Sequence, residues 1–136
     1  MVYREWGHLL GPEIEVWHVQ LPGREARYRE PSCTDMAVLV DTLAAAIRAQ
    51  LDRPYALYGH SMGALVAFEL TRHLRRLGTP QPTLLCASAR RAPHMPDWRT
   101  PLHTLPDSTL VTSLNERYNG VPAAILESAD LLRMFI

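Results

Sequence analysis

One serine stands midway between two glycines in the stretch YALYGHSMGALVAFEL, Tyr55 to Leu70, where Gly59-His60-Ser61-Met62-Gly63 reads G-x-S-x-G. A serine hydroxyl attacks a carbonyl efficiently only when a base takes its proton and hydrogen-bond donors meet the oxyanion that forms. The spacing serves that chemistry where a strand leads in and a helix leads out. The turn is then sharp enough to hold the serine in a strained backbone conformation, with its hydroxyl projecting from the carboxyl edge of a sheet. Glycines two positions to either side are expected to remove side chains that would clash across the turn. A helix beginning at Met62 aims its positive end and unpaired N–H groups at the reacting centre, so the Met62 N–H is the expected oxyanion donor beside Ser61. The plainer alternative is a glycine-rich turn whose serine merely caps the helix.

The flanking residues supply the elements that such a turn needs. PYALYG reads as a strand, Met62 to about Leu77 as a helix closed by Gly78, and TLLCAS, Thr83 to Ser88, as a further strand. Upstream, Met36, Leu39, Val40, Leu43, Ala44 and Ile47 form a 3.6-period apolar stripe, which predicts a helix with Thr34 as its cap. IEVWHVQL, Ile14 to Leu21, is rich in β-branched and aromatic residues between Pro12 and Pro22-Gly23, and reads as the first strand. Val2, Trp6, Leu9 and Leu10 share one face of a short helix that begins almost at Met1 and stops at Gly11-Pro12. Strand, helix, strand, helix, strand predicts an α/β fold: a parallel sheet with right-handed crossovers and helices on its faces.

Past Arg90 the character changes. Pro93, Pro96, Pro101, Pro106 and Pro122 punctuate DSTLVTSLNERY and PAAILESADLLRMFI. Both read as short helices, with Asp107 as a cap for one and Pro122 in the first turn of the other. The final run, Leu131 to Ile136, is apolar and helical in period without a glycine, proline or polar tail, which predicts an interrupted element.

Composition narrows the function classes. The 136 residues are 47% hydrophobic and 21% charged, ordinary for one globular domain. Fourteen basic residues balance fourteen acidic ones, so no global basic field exists to hold nucleic acid or an anionic membrane. Cys33 and Cys86 are too few for a disulfide framework and match no metal-site spacing, and they are expected as reduced thiols. No secretory h-region and no run approaching about 18 apolar residues is present, so the expectation is a cytoplasmic protein without metal or cofactor.

Three segments together carry a more specific likeness. VWHVQLPGREARYREP, YALYGHSMGALVAFELTRHLRRLG and LLCASARRAP closely resemble the type II thioesterases of polyketide and nonribosomal peptide synthesis, within the α/β-hydrolase superfamily. The L-P-G-R-x-x-R-x-x-E-P segment, Leu21 to Pro31, and S-A-R-x-A-P, Ser88 to Pro93, separate that group from generic esterases better than the elbow does. The resemblance implies a serine thioesterase with Ser61 as nucleophile and the Met62 N–H as oxyanion donor. Its substrate would be acyl groups on the phosphopantetheine arm of acyl or peptidyl carrier proteins in antibiotic biosynthesis. It further implies an incomplete hydrolase core over residues 1–91 and a truncated helical lid over residues 92–136. In this superfamily the triad runs Ser, Asp or Glu, then His, and the second oxyanion donor precedes the first helix. None of these three partners has a matching residue here, so the resemblance implies an inactive chain when isolated. Other readings are a different α/β-hydrolase esterase, or an inactive, binding-only fragment.

Histidines already in the chain are poor substitutes for the family's base. The elbow aims the His60 side chain away from the serine hydroxyl, and His73 lies twelve residues along the helix, roughly 18 Å away. Asp97 and His103 satisfy the chain order, but they sit with His94 in a proline-rich segment ill suited to holding a base in place. Arg24, Arg27, Arg75 and Arg76 are expected as solvated surface residues, with contact to an acidic carrier as the alternative.

Overall fold

The computed structural model describes residues 3–92, 95, 100–118, 121–128 and 130. The chain divides into two compact units, Met1–Met95 and Pro96–Ile136. In the first unit, helix α1 (Trp6–Leu9) is followed by α2 (Met36–Ile47), β1 (Ala56–His60), α3 (Met62–Arg76) and β2 (Leu84–Ser88). β1 and β2 pair in parallel, from Ala56 opposite Leu84 to His60 opposite Ser88, with α3 as the connection between them.

The core of this unit lies between the two long helices and the sheet. Val40 and Ala44 of α2 meet Leu70 and Leu74 of α3, and Tyr55 and Leu57 close the cluster from the strand side. The apolar stripe of α2 is thus the buried one, as its 3.6-residue period predicts. Successive strand side chains point to opposite faces, so Tyr58 lies on the far side of the sheet from Leu57. There its ring meets Trp6 edge-on at 4.6 Å and Tyr3 at 5.6 Å, which docks α1 on that face.

Helix ends follow local chemistry. Asp35, extended at φ −113° and ψ 123°, accepts the Ala37 and Val38 N–H groups on its carboxylate, so it is the cap in place of the expected Thr34. α3 stops where Gly78 enters the left-handed region at φ +67° and the Thr79 N–H reaches back to the Leu74 carbonyl at 3.1 Å.

Two expectations need correction. Ile14 to Leu21 forms no strand, since the sheet holds β1 and β2 alone among the described residues. Composition reports that a segment would suit a sheet; pairing needs a neighbour, and here Ile14, Trp17 and Val19 are exposed. The first helix is also shorter than its apolar spacing suggested, covering only Trp6–Leu9.

The second unit contains α4 (Asp107–Tyr118) and α5 (Ala123–Leu126). Asp107 is the first helical residue of α4, while the Pro106 carbonyl accepts the Thr109 and Leu110 N–H groups, each at 2.9 Å. Pro106 therefore occupies the cap position expected of Asp107. Pro122 takes the same place at α5, with φ −56° and ψ 140°. The Arg117 guanidinium donates to the Thr100 carbonyl at 2.8 Å and ties α4 to the segment before it. The run from Leu131 to Ile136 lies outside the described residues, as do His94 and Asp97.

Candidate active site

β1 ends at His60 and α3 begins at Met62, leaving one residue, Ser61, to reverse the chain. Its backbone stands at φ 54° and ψ −114°, a region that L-residues with a side chain avoid at a cost of about 1–3 kcal/mol. Two backbone bonds hold it there. The Ser61 N–H donates to the Ser88 carbonyl of β2 at 2.9 Å, and the Ser61 carbonyl accepts the Ala64 N–H at 3.1 Å.

The two flanking glycines are not equivalent. A Cβ on Gly59 would overlap the Gly63 carbonyl and lie 2.6 Å from the Ala64 nitrogen, so the first turn of α3 can approach β1 only over a bare backbone. A Cβ on Gly63 would meet nothing within 4 Å. The expected steric need is therefore met at Gly59 and not at Gly63. The pattern is symmetric in sequence, but the strand glycine faces the helix whereas the helix glycine faces open space.

Ser61 makes no side-chain cap hydrogen bond to α3. That removes the capping arrangement and leaves the hydroxyl at the end of the strand, beside the first turn of a 15-residue helix. The Met62 N–H belongs to that turn, where no earlier carbonyl of the same helix is available to it. The positive end of α3 therefore lies next to Ser61.

Three of the histidines have partners of their own. His60 Nδ1 lies 3.2 Å from Ser88 Oγ, across the sheet. His73 Nε2 lies 3.1 Å from Asp41 Oδ1 and bridges α3 to α2, while His18 Nε2 contacts the Tyr3 carbonyl at 2.8 Å. His103 belongs to the second unit, in the short 3-10 turn Leu102–Thr104. Ser88 is a residue whose contact with the turn the sequence reading missed. Its signal was present, since it opens the S-A-R-x-A-P segment, but its side-chain partner His60 lies 28 residues back along the chain.

A stapled loop precedes α2. Arg27 donates two parallel hydrogen bonds to the Glu30 carboxylate, at 2.7 and 2.6 Å, and a third to the Gln20 carbonyl at 2.8 Å. The hydrogen bond from Arg27, with its charge, holds the Glu30 carboxyl below its usual range, and the same pair raises Arg27. Gly23, at φ +73°, faces Ser32 so closely that a Cβ would fall 2.8 Å from the Ser32 Cα. Thus Arg27 is a loop staple, whereas the exposed Arg24 lines a groove with Leu21, Cys33, Leu39 and Met62. That groove brings the L-P-G-R segment beside the residue that follows Ser61. Among the described residues no group of three or more His, Cys, Asp or Glu side chains is placed to hold a metal ion.

The family model described as "Thioesterase domain" matches residues 1–136. A curated relative, linear gramicidin dehydrogenase LgrE of Brevibacillus parabrevis, is 45% identical over 95% of this chain and 49% of its own length. Its name speaks of a dehydrogenase, whereas the matching family model and the solved structures that follow carry thioesterase names. Among solved structures, the RedJ thioesterase of the prodiginine pathway of Streptomyces coelicolor is 41% identical, with a TM-score of 0.80 over 97% of this chain and 52% of that one. The type II thioesterase BorB from the borrelidin biosynthetic cluster is 36% identical, with a TM-score of 0.72 over 98% of this chain and 54% of its own. The chain spans about half the length of the curated relatives it matches.

Proposed function

Since the chain belongs to the thioesterase domain family, with a partial α/β-hydrolase fold, we propose that it carries the nucleophile of a type II thioesterase. Ser61 is that nucleophile, and the substrate is an acyl thioester on the phosphopantetheine arm of an acyl or peptidyl carrier protein. The observation that carries the reading is Ser61 itself, with its left-handed backbone, uncapped hydroxyl and place at a strand-to-helix join.

In the proposed reaction Ser61 Oγ attacks the thioester carbonyl while a base takes its proton. The Met62 N–H donates to the oxyanion, the C–S bond breaks, and the thiolate leaves with that proton. Water then attacks the acyl-serine, and the acid departs. The base and its orienting acid are a histidine and an Asp or Glu late in the family's chain order, and no residue of this sequence matches them. Residues 92–136, which include α4 and α5, are read as the lid of the same fold. No cofactor enters the scheme, and the cytoplasm, where carrier proteins are loaded, is the proposed setting.

A paired measurement tests the scheme. A missing base removes roughly 100- to 10,000-fold in rate, and a missing oxyanion donor about 100- to 1000-fold. The 136-residue chain should therefore hydrolyse an acyl-pantetheine thioester no faster than its Ser61→Ala variant. Extension with the segments of a relative that bear the late acid and base should switch on Ser61-dependent turnover. Strong Ser61-dependent turnover by the unextended chain would place a base within it, with His103 the first to mutate. A silent extended chain would favour a binding-only role.

A further inference from the structure

Ser88 closes β2 directly opposite His60, and the ladder ends with that pair. Both polar groups of Ser88 reach across to the turn. Its carbonyl accepts the Ser61 N–H at 2.9 Å, and its hydroxyl lies 3.2 Å from His60 Nδ1. We propose that Ser88 and His60 are positioning residues for Ser61: their side-chain hydrogen bond clamps the last residue of β1 to the last residue of β2 and so holds the strained turn that presents the Ser61 hydroxyl.

Three features support the clamp. First, the bond lies at the final register position, beyond which no ladder pair stabilises the chain against the φ of 54° at Ser61. Second, the chain leaves β2 through another left-handed residue, Ala89 at φ 50°, so Ser88 bonds one strained turn and directly precedes a second. Third, a hydroxyl both donates and accepts, so Ser88 Oγ can bond His60 Nδ1 in either tautomer of the ring. His60 thereby serves the turn without touching the reacting atoms. The clamp's purpose rests on the reading of Ser61 as nucleophile.

Amide hydrogen exchange on the 136-residue chain tests this without needing turnover. Ser88→Ala removes the hydroxyl and keeps the carbonyl. His60→Asn keeps a polar atom near the place of Nδ1, whereas His60→Gln moves it toward that of Nε2. Loss of one hydrogen bond should speed exchange at the Ser61 amide by about two- to tenfold in Ser88→Ala and His60→Gln. His60→Asn should restore it, and the core amides of Ala44 and Leu74 should keep their rates throughout. In the chain extended with the late acid and base, the rate at which a fluorophosphonate labels Ser61 should fall in the same two variants. Unchanged Ser61 exchange in Ser88→Ala would overturn the proposal, as would equal acceleration at Ala44 and Leu74, or rescue by glutamine as complete as that by asparagine. An extended chain bearing the late acid and base whose Ser61 never reacts would instead sink the nucleophile reading, because exchange reports the clamp independently.

Discussion

At the scale of single residues, the elbow divides its glycines by what they face. Gly59 backs onto the first turn of α3, and a methyl group there has no room. Gly59→Ala should cost about 1–3 kcal/mol, the usual penalty for forcing atoms into a filled site. Gly63→Ala should be neutral or stabilising by up to about 1 kcal/mol, since it adds helix propensity in free space. Urea denaturation of the two variants measures the contrast, and an equal loss in both would show that the open side of Gly63 is needed. The serine and its turn were legible in five letters, because G-x-S-x-G between a strand and a helix leaves the backbone little choice. The asymmetry of the glycines was not legible, since the motif reads alike from either side. Nor was the role of Ser88, because which residue meets His60 depends on a register that no local pattern encodes.

The elements show the same division between period and partner. α2 and α3 were readable from their stripes because a 3.6-residue apolar period has one way to bury itself. Their ends depended on finer detail. Thr34 and Asp35 are both capping types, and the choice fell to the residue whose carboxylate reaches two N–H groups. Asp35→Ala should therefore destabilise the chain by about 1 kcal/mol, while Thr34→Ala should stay within about 0.5 kcal/mol. Chemical denaturation of each variant checks the order, and a larger loss at Thr34 would return the cap to it. The segment Ile14 to Leu21 has the composition of a strand without the pairing of one. A strand, unlike a helix, is completed by atoms outside its own sequence.

For the molecule as a whole, the sheet of the first unit has two strands, so among the described residues each leaves an outer edge without a ladder partner. Large apolar side chains of the same unit face solvent as well, with Leu84 of β2 56% exposed, Trp17 54% and Val19 59%. Open edges and apolar surface of this kind promote association. The isolated 136-residue chain should elute above its monomer size with rising concentration and bind a hydrophobic dye. A dye-silent monomer with a sharp thermal transition would contradict that expectation. Fold class was readable at this scale because alternating strands and helices admit few arrangements.

The bond from the Ser61 N–H to the Ser88 carbonyl also bears on the order in which the chain assembles. It joins the residue that follows β1 to the last residue of β2, and the end pair of those strands, His60 and Ser88, lies 28 positions apart, so the bond can form only after α3 has folded back and the strands have met. Helical turns form quickly from neighbours in sequence, while such distant pairing waits on loop closure. The left-handed angle at Ser61 is therefore imposed late, on the native side of the folding barrier. Ser61→Gly, which releases about 1 kcal/mol of that strain after allowance for glycine's own flexibility, should slow unfolding about fivefold and leave the refolding rate almost unchanged. Stopped-flow refolding and unfolding would show which limb moves, and a shift confined to refolding would put the elbow in the nucleus instead. On this account the reactive serine governs how long the folded state lasts, and has little say in how fast it is reached.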